Sequence, residues 1–141
     1  MKFLIINGPN LNLLQHRDPQ KYGSLSLVQI ESFVQKYFNK DTIEFYQSNK
    51  EGEIIDKIQG AGSYFDGIVI NPGGFAHTSV AIRDALELCR IPKIEVHLSN
   101  LAAREDFRQN LITASVCNGY ISGLKEFGYI AAITVLKEIS A

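Results

Sequence analysis

Several features that would each point to a function are missing from this sequence. It has no charge surplus: 14 Lys and Arg against 15 Asp and Glu leave a net charge of -1. Neither nucleic acid nor an anionic membrane is therefore indicated as a partner. Cysteine is scarce, and Cys89 and Cys117 lie in apolar stretches without metal-type spacing, which predicts buried free thiols and a reducing compartment rather than a disulfide. No long apolar run occurs. The opening Met1 to Asn7 offers four apolar residues before Asn7, too few for a signal peptide or a membrane span, so a cytoplasmic protein is expected. No repeat, linker or low-complexity stretch divides the 141 residues, of which 45% are hydrophobic, and one domain with one substantial core is predicted.

What is present is an alternation of short apolar runs and amphipathic stretches around one central segment, Gly67 to Ser79. Ile68, Val69 and Ile70 lack polar alternation and suit a parallel strand covered on both faces. Pro72 and the Gly73-Gly74 pair end it in a tight turn. Thr78 or Ser79 then caps a helix whose expected apolar side is Val80, Ala81, Ala85 and Leu88. Ligands of parallel α/β sheets sit beyond the carboxyl ends of strands, where Asn71 and His77 would be.

The remaining elements fall into line. Lys2 to Asn7 reads as the first strand and stops at Gly8-Pro9. Residues 8–24 show no sustained periodicity and are punctuated by Gly and Pro, the composition of a mobile functional loop. Ser26 with Gln29 makes a capping box for a helix ending near Asn39, with Leu27, Ile30, Phe33, Val34 and Tyr37 on one face. Thr42 to Gln47 is the second strand. Gly52 to Gln59 is a short helix with Ile54, Ile55 and Ile58 inward, closed by Gly60 and Gly62. Pro92 to His97 is the fourth strand, with Ile94 and Val96 on one face and Glu95 and His97 on the other. Asn100 to Phe107 reads as a short helix, Gly119 to Ser122 as the fifth strand and Phe127 to Ile139 as a closing helix. The pattern predicts an α/β fold: a flavodoxin-like, doubly wound, five-stranded parallel sheet with helices on both faces.

In that fold Asn7 and Asn10, Asn71 and His77, and Glu95, His97 and Ser99 end three strands and converge on one rim. Asn and Ser beside Gly and Pro are often plain turn formers. Here, however, Asn7-Gly-Pro-Asn10 and Asn71-Pro-Gly-Gly repeat one device at two strand ends, a carboxamide beside backbone free to donate to a ligand.

The ordered blocks make the sequence resemble the type II 3-dehydroquinate dehydratases over almost its whole length. They are Asn7-Gly-Pro-Asn10-Leu-Asn-Leu-Leu14, Arg17-Asp-Pro19 with Tyr22-Gly23, Gln47-Ser-Asn49, Glu51-Gly-Glu53, Asn71-Pro-Gly73, His77-Thr-Ser79, Arg83-Asp-Ala85, Glu95-Val-His-Leu-Ser-Asn100 and Ala103-Arg-Glu105. The chain departs from the family's pattern at Phe75-Ala76, at His16 and at Gln109-Asn110-Leu111.

The resemblance implies anti elimination of water from 3-dehydroquinate through an enol or enolate, without cofactor or metal. It implies Tyr22 as base and Arg17 as the essential loop arginine beside it. Asn10 would hold a water against the enolate oxygen, His97 would be the general acid, and Glu95 would fix its imidazole. Asn71, His77, Arg108 and the backbone at Leu98 and Ser99 would bind hydroxyls and carboxylate, and Asp84 would serve a neighbouring subunit's site in a homododecamer built from trimers. Tyrosine ordinarily titrates near ~10, so a tyrosinate base at neutral pH requires a guanidinium close by.

Other readings of the fold fit less well. A flavin-binding electron carrier needs hydroxyl side chains in its first loop, and none lies between Asn7 and Tyr22. A phospho-acceptor module needs clustered acids where this chain has Asn and His. A lysine Schiff-base dehydratase needs a desolvated lysine beside Tyr22 and His97, a place none of Lys2, Lys50, Lys93 or Lys125 is expected to occupy.

Overall fold

Five parallel strands form one sheet in the order β2-β1-β3-β4-β5, in a computed structural model that describes every residue from Met1 to Ala141. This is the flavodoxin-like order. The strands are β1 Lys2–Asn7, β2 Thr42–Gln47, β3 Gly67–Asn71, β4 Lys93–His97 and β5 Gly119–Ser122. The helices are the single turn α1 Pro19–Tyr22, then α2 Leu27–Tyr37, α3 Glu51–Ala61, α4 Val80–Leu88 and α5 Phe127–Ile139. Alternation along β1 shows why both faces are covered. Phe3 and Ile5 join the core beneath α2 and α5, while Leu4 and Ile6 join the core beneath α3 and α4. All four are at most 1% exposed, and each such side chain contributes roughly 1.5–3 kcal/mol of burial. Gly67 starts β3 where a Cβ would lie 3.2 Å from Leu136 of α5, so the closing helix packs directly onto the sheet.

The capping box forms as expected: Ser26 Oγ accepts from the Gln29 amide at 3.2 Å, and Gln29 Oε1 accepts from the Ser26 amide at 2.9 Å. Of the anticipated α2 face, Leu27, Ile30 and Val34 are buried, Phe33 is half-buried, and Tyr37 lies in solvent. The α3 helix runs through Gly60 instead of ending before it; nothing packs against that glycine to stop it.

The inward face of α4 differs from the expected one. Ser79 is the cap, accepting from the Ile82 amide at 3.0 Å. That phase turns Ile82, Ala85, Leu86 and Cys89 inward, at i, i+3, i+4 and i+7. Ala85 is correctly placed, but Val80 and Leu88 are 61% and 77% exposed and Ala81 also faces out. Asn100–Phe107 is not one helix: two 3-10 turns, Leu101–Ala103 and Asp106–Gln109, flank an extended Arg104. Residues 8–24 are also more ordered than their composition implies. A 3-10 segment, Leu11–His16, buries Leu11 and Leu14 in the core under α2, and Asp18 caps α1.

Candidate active site

The carboxyl ends of β1 and β3 are locked together. The Gly8 amide donates to the Asn71 carbonyl at 2.7 Å, and a Cβ on Gly8 would lie 2.5 Å from the Pro72 carbonyl oxygen. Gly73, at φ +60°, likewise faces the Pro9 carbonyl, so the paired turns need glycine at both places. Behind them Tyr129 of α5 donates to Asn7 Oδ1 at 2.5 Å and accepts from Asn71 Nδ2 at 3.3 Å. Burial holds the Tyr129 phenol well above its usual range, so it remains a hydroxyl. Asn71 Oδ1 accepts from the Gly73 amide at 3.2 Å, which fixes the amide and leaves one N–H for a ligand.

Beyond these turns lies a small cleft lined by Arg17, Tyr22, Asn71, His77, His97, Leu98, Ser99, Arg104 and Arg108, with Leu11, Gly73, Gly74 and Leu101. Tyr22 is 8% exposed. Its oxygen accepts from two guanidinium groups, Arg17 Nη2 at 2.5 Å and Arg104 Nη1 at 2.8 Å. The Arg17 guanidinium also stands 3.8 Å over the Tyr22 ring. Two charged donors on one phenolic oxygen are the surroundings of an acceptor, and they suit an anionic oxygen. Burial lowers the Arg17 pKa, opposed by Tyr22 and reinforced by Arg104 and Arg108, yet a guanidinium stays charged at neutral pH. Arg104 Nη1 also donates to Ser99 Oγ at 2.9 Å, and Arg104 Nε is the one buried side-chain polar atom without a partner. It stands 3.8 Å from Glu105 Oε2, beyond hydrogen-bond distance.

Across the cleft Glu95 and His97 share one face of β4, as alternation requires. Glu95 is completely buried and its Oε2 accepts from His97 Nε2 at 2.7 Å. Nδ1 of His97 is thereby left to the cleft. His77 lies 6.1 Å away, ring to ring, nearly parallel, and its Nδ1 meets the Asn110 carbonyl at 3.0 Å. A carbonyl only accepts, so Nδ1 carries the proton and Nε2 is the bare nitrogen. Burial lowers the His77 pKa, with the Asn110 carbonyl opposing and His97 and Arg108 reinforcing, so the ring is neutral at pH 7. The carbonyls of Leu98 and Ser99 are engaged by the Lys125 amide and the Ser122 hydroxyl, while neither Leu98 nor Ser99 donates its amide within the chain. Arg108 reaches the cleft with Nε on Glu105 at 2.5 Å.

Three expected site residues do not line this cleft: Glu95, wholly buried behind His97, and Asn10 and Asp84. Asn10 starts the 3-10 segment in a left-handed conformation, φ 69°, with its amide on Asn49 Oδ1 and its side chain exposed. Asp84 is on the outer side of α4, 3.1 Å from Arg83 Nη1. Two residues went unnoticed in the sequence as site groups. Arg104 carried a signal, since Arg104 and Arg108 bracket an aromatic in a polar stretch. Thr113, whose hydroxyl donates to Glu95 Oε1, carried none. Lys93 is buried on the strand of His97, but its Nζ is spent on the Cys89 carbonyl at 2.7 Å, so it is not presented to the cleft. Both cysteines are free, Cys89 buried and Cys117 partly so, with the Cys117 thiol pushed up to about 12 by burial and by Glu95. No three His, Cys, Asp or Glu side chains gather as metal ligands.

A profile of the family described as dehydroquinase class II matches residues 1–137. The 3-dehydroquinate dehydratase of Helicobacter acinonychis is 49% identical, aligned over all of this chain and 89% of its own. That of Thermotoga neapolitana is 47% identical, over all of this chain and 97% of its own. The crystal structure of type II dehydroquinase from Butyrivibrio crossotus superposes with a TM-score of 0.93 at 50% identity, covering 97% of each chain. That from Propionibacterium acnes gives 0.89 at 34% identity, over 99% of this chain and 95% of its own.

Proposed function

Because the chain belongs to the class II dehydroquinase family and is a 3-dehydroquinate dehydratase, a hydro-lyase of the shikimate pathway, we propose that Tyr22 is its base and His97 its acid. The observation carrying this is the two-guanidinium environment of Tyr22 across one cleft from the Glu95-His97 pair. Tyr22 takes the proton beside the ketone, and the electron pair left behind becomes an enolate. His97, held by Glu95, gives a proton to the departing hydroxyl, which leaves as water by anti elimination as the enone forms. The acquired proton on Tyr22 and the lost one on His97 are exchanged with solvent before the next turnover. Arg17 and Arg104 hold the base and supply positive charge while negative charge moves onto substrate.

Substrate is gripped by the unspent donors: the second Asn71 N–H, the amides of Leu98 and Ser99, and Arg108, with His77 Nε2 accepting from a hydroxyl. Asn10, beside the anchored Leu11, contributes through a water, and the part of residues 8–24 that closes over substrate is 15–21, since Leu11 and Leu14 hold the start. Asp84 acts in the cleft of a second copy, within a homododecamer of trimers, a role supported by its outward position on α4. The two free thiols support a cytoplasmic location; no helix is long and apolar enough to cross a membrane.

Adding 3-dehydroquinate to the purified chain should produce the absorbance of a conjugated enone. Comparing its rate with solvent exchange of the abstracted proton then separates the steps: His97→Ala should slow elimination more than exchange. No enone, or exchange and elimination falling together in a parent that exchanges rapidly, overturns the assignment.

A further inference from the structure

Behind His97 lies a group that the reaction as described does not use. Thr113 is completely buried in the irregular stretch after Gln109, and its hydroxyl donates to Glu95 Oε1 while Oε2 holds His97. Glu95 is 0% exposed, so a buried carboxylate relies on those two donors to remain an acceptor. The stretch carrying Thr113 is itself pinned. The amides of Ile112 and Thr113 both reach the Ala76 carbonyl, at 3.0 and 3.5 Å, and the Asn110 carbonyl receives His77 Nδ1. One short run of chain thus backs both histidines of the cleft.

We propose that Thr113 is a positioning residue for the acid step: its hydroxyl keeps Glu95 the acceptor that aims His97 and stabilises its imidazolium. The inference rests on His97 being the acid. No neighbour offers a substitute for the Thr113 donor. Lys93, on the same strand face, spends Nζ on the carbonyls of Cys89 and Ile91. Cys117, facing Glu95 from the next turn, stays a neutral thiol that contacts the Thr113 carbonyl at 3.6 Å. His77 and Arg108 lie on the cleft side, and the one faces Asn110 while the other is tied to Glu105. Without the hydroxyl, Glu95 Oε1 is left buried with no donor and the carboxylate that aims His97 is no longer fixed.

The test uses Thr113→Val, which keeps the shape and deletes the donor, and Thr113→Ser, which keeps the donor. In Thr113→Val, enone formation should slow roughly ten- to hundredfold, the scale of a hydrogen bond to a charged group. Proton exchange and KM should stay within about twofold of the parent, a split that marks an interaction made in one step only. The alkaline limb of the elimination rate should move to lower pH, and Thr113→Ser should restore most of the rate. A role in packing alone predicts none of these. Thr113→Ala carries the same expectations should the valine variant fail to fold. Unchanged elimination and pH profile in a folded donor-less variant, or equal losses of exchange and elimination, overturn the proposal. His97→Ala run in parallel tells the two failures apart. If it fails to separate exchange from elimination, the acid assignment falls and this inference with it; if it separates them while Thr113→Val does not, only Thr113 is wrong.

Discussion

At the scale of residues the cleft is assembled from groups that no single local motif announces. Tyr22 and Arg17 are five positions apart and could be paired on paper. Arg104 reaches the same oxygen from 82 residues away, and such a partner becomes visible only when β4 and the loop after β1 are laid side by side. Tyr22→Phe deletes only the ionisable oxygen and should reduce turnover by roughly a thousandfold, with affinity for a substrate analogue within a few-fold of the parent; single-turnover rates and equilibrium titration check both. Arg17→Lys retains a charge but gives up the planar fork that stacks on the Tyr22 ring while donating to its oxygen. Turnover should fall well below that of the parent, whereas a lysine that rescued fully would mean that charge alone suffices. Glu95 and His97 were legible because alternation puts i and i+2 of a strand on one face. Thr113 was not, because a threonine in an aperiodic stretch looks the same whether it meets a carboxylate or solvent.

Elements repeat this contrast between local and non-local information. The five strands and the closing helix lie where apolar runs and Gly or Pro boundaries put them, since a strand covered on both faces needs little beyond its own sequence. The expected inward face of α4, Val80, Ala81, Ala85 and Leu88, has helical spacing too, so spacing alone does not choose between it and Ile82, Ala85, Leu86 and Cys89; it is the second face that meets the core of α3 and the sheet. The aperiodic composition of residues 8–24 predicts a segment without an anchor, yet Leu11 and Leu14 are 2% and 1% exposed. The closure proposed for this segment would hinge after Leu14, and the part carrying Arg17 should have low local stability when empty. Limited proteolysis reads this directly. Cleavage after Arg17 or Lys21 should be fast in the free protein and suppressed by a saturating substrate analogue, and equal rates would mean that Arg17 stays fixed against Tyr22 with or without ligand. Leu14→Ala, which removes the anchor at a cost of about 2–5 kcal/mol, should make the segment cleavable even with ligand bound.

At the scale of the molecule two contacts join distant parts. Asp41, ahead of β2, binds Lys137 of α5 at 2.5 Å and the amino terminus at 3.0 Å. The Lys137 hydrogen bond comes first among the causes that hold its carboxyl below the usual range. A lowered folded value means that the stabilisation is complete above the unfolded carboxylate value of about 3.9 and is lost as pH falls through the folded one. Asp41→Asn should thus lower the melting temperature at pH 7 and change it little at a pH below that folded value. The other is the contact proposed with a second copy. Val80, Asp84 and Leu88 stand at i, i+4 and i+8 on the outer side of α4, two exposed apolar residues on either side of a carboxylate whose own cleft it does not line. An exposed apolar stripe of this kind suits contact with a second copy, and a copy seated there would receive Asp84 at its cleft. Complementation distinguishes this from an Asp84 that only stabilises α4. Tyr22→Phe and Asp84→Ala should each be inactive as pure assemblies. Co-assembled in equal amounts, they should recover activity, because roughly a quarter of the sites then pair an intact Tyr22 with an intact Asp84 from a neighbour. Mixed assemblies as inactive as their parents would place Asp84 outside the chemistry and leave the stripe a contact without a catalytic part.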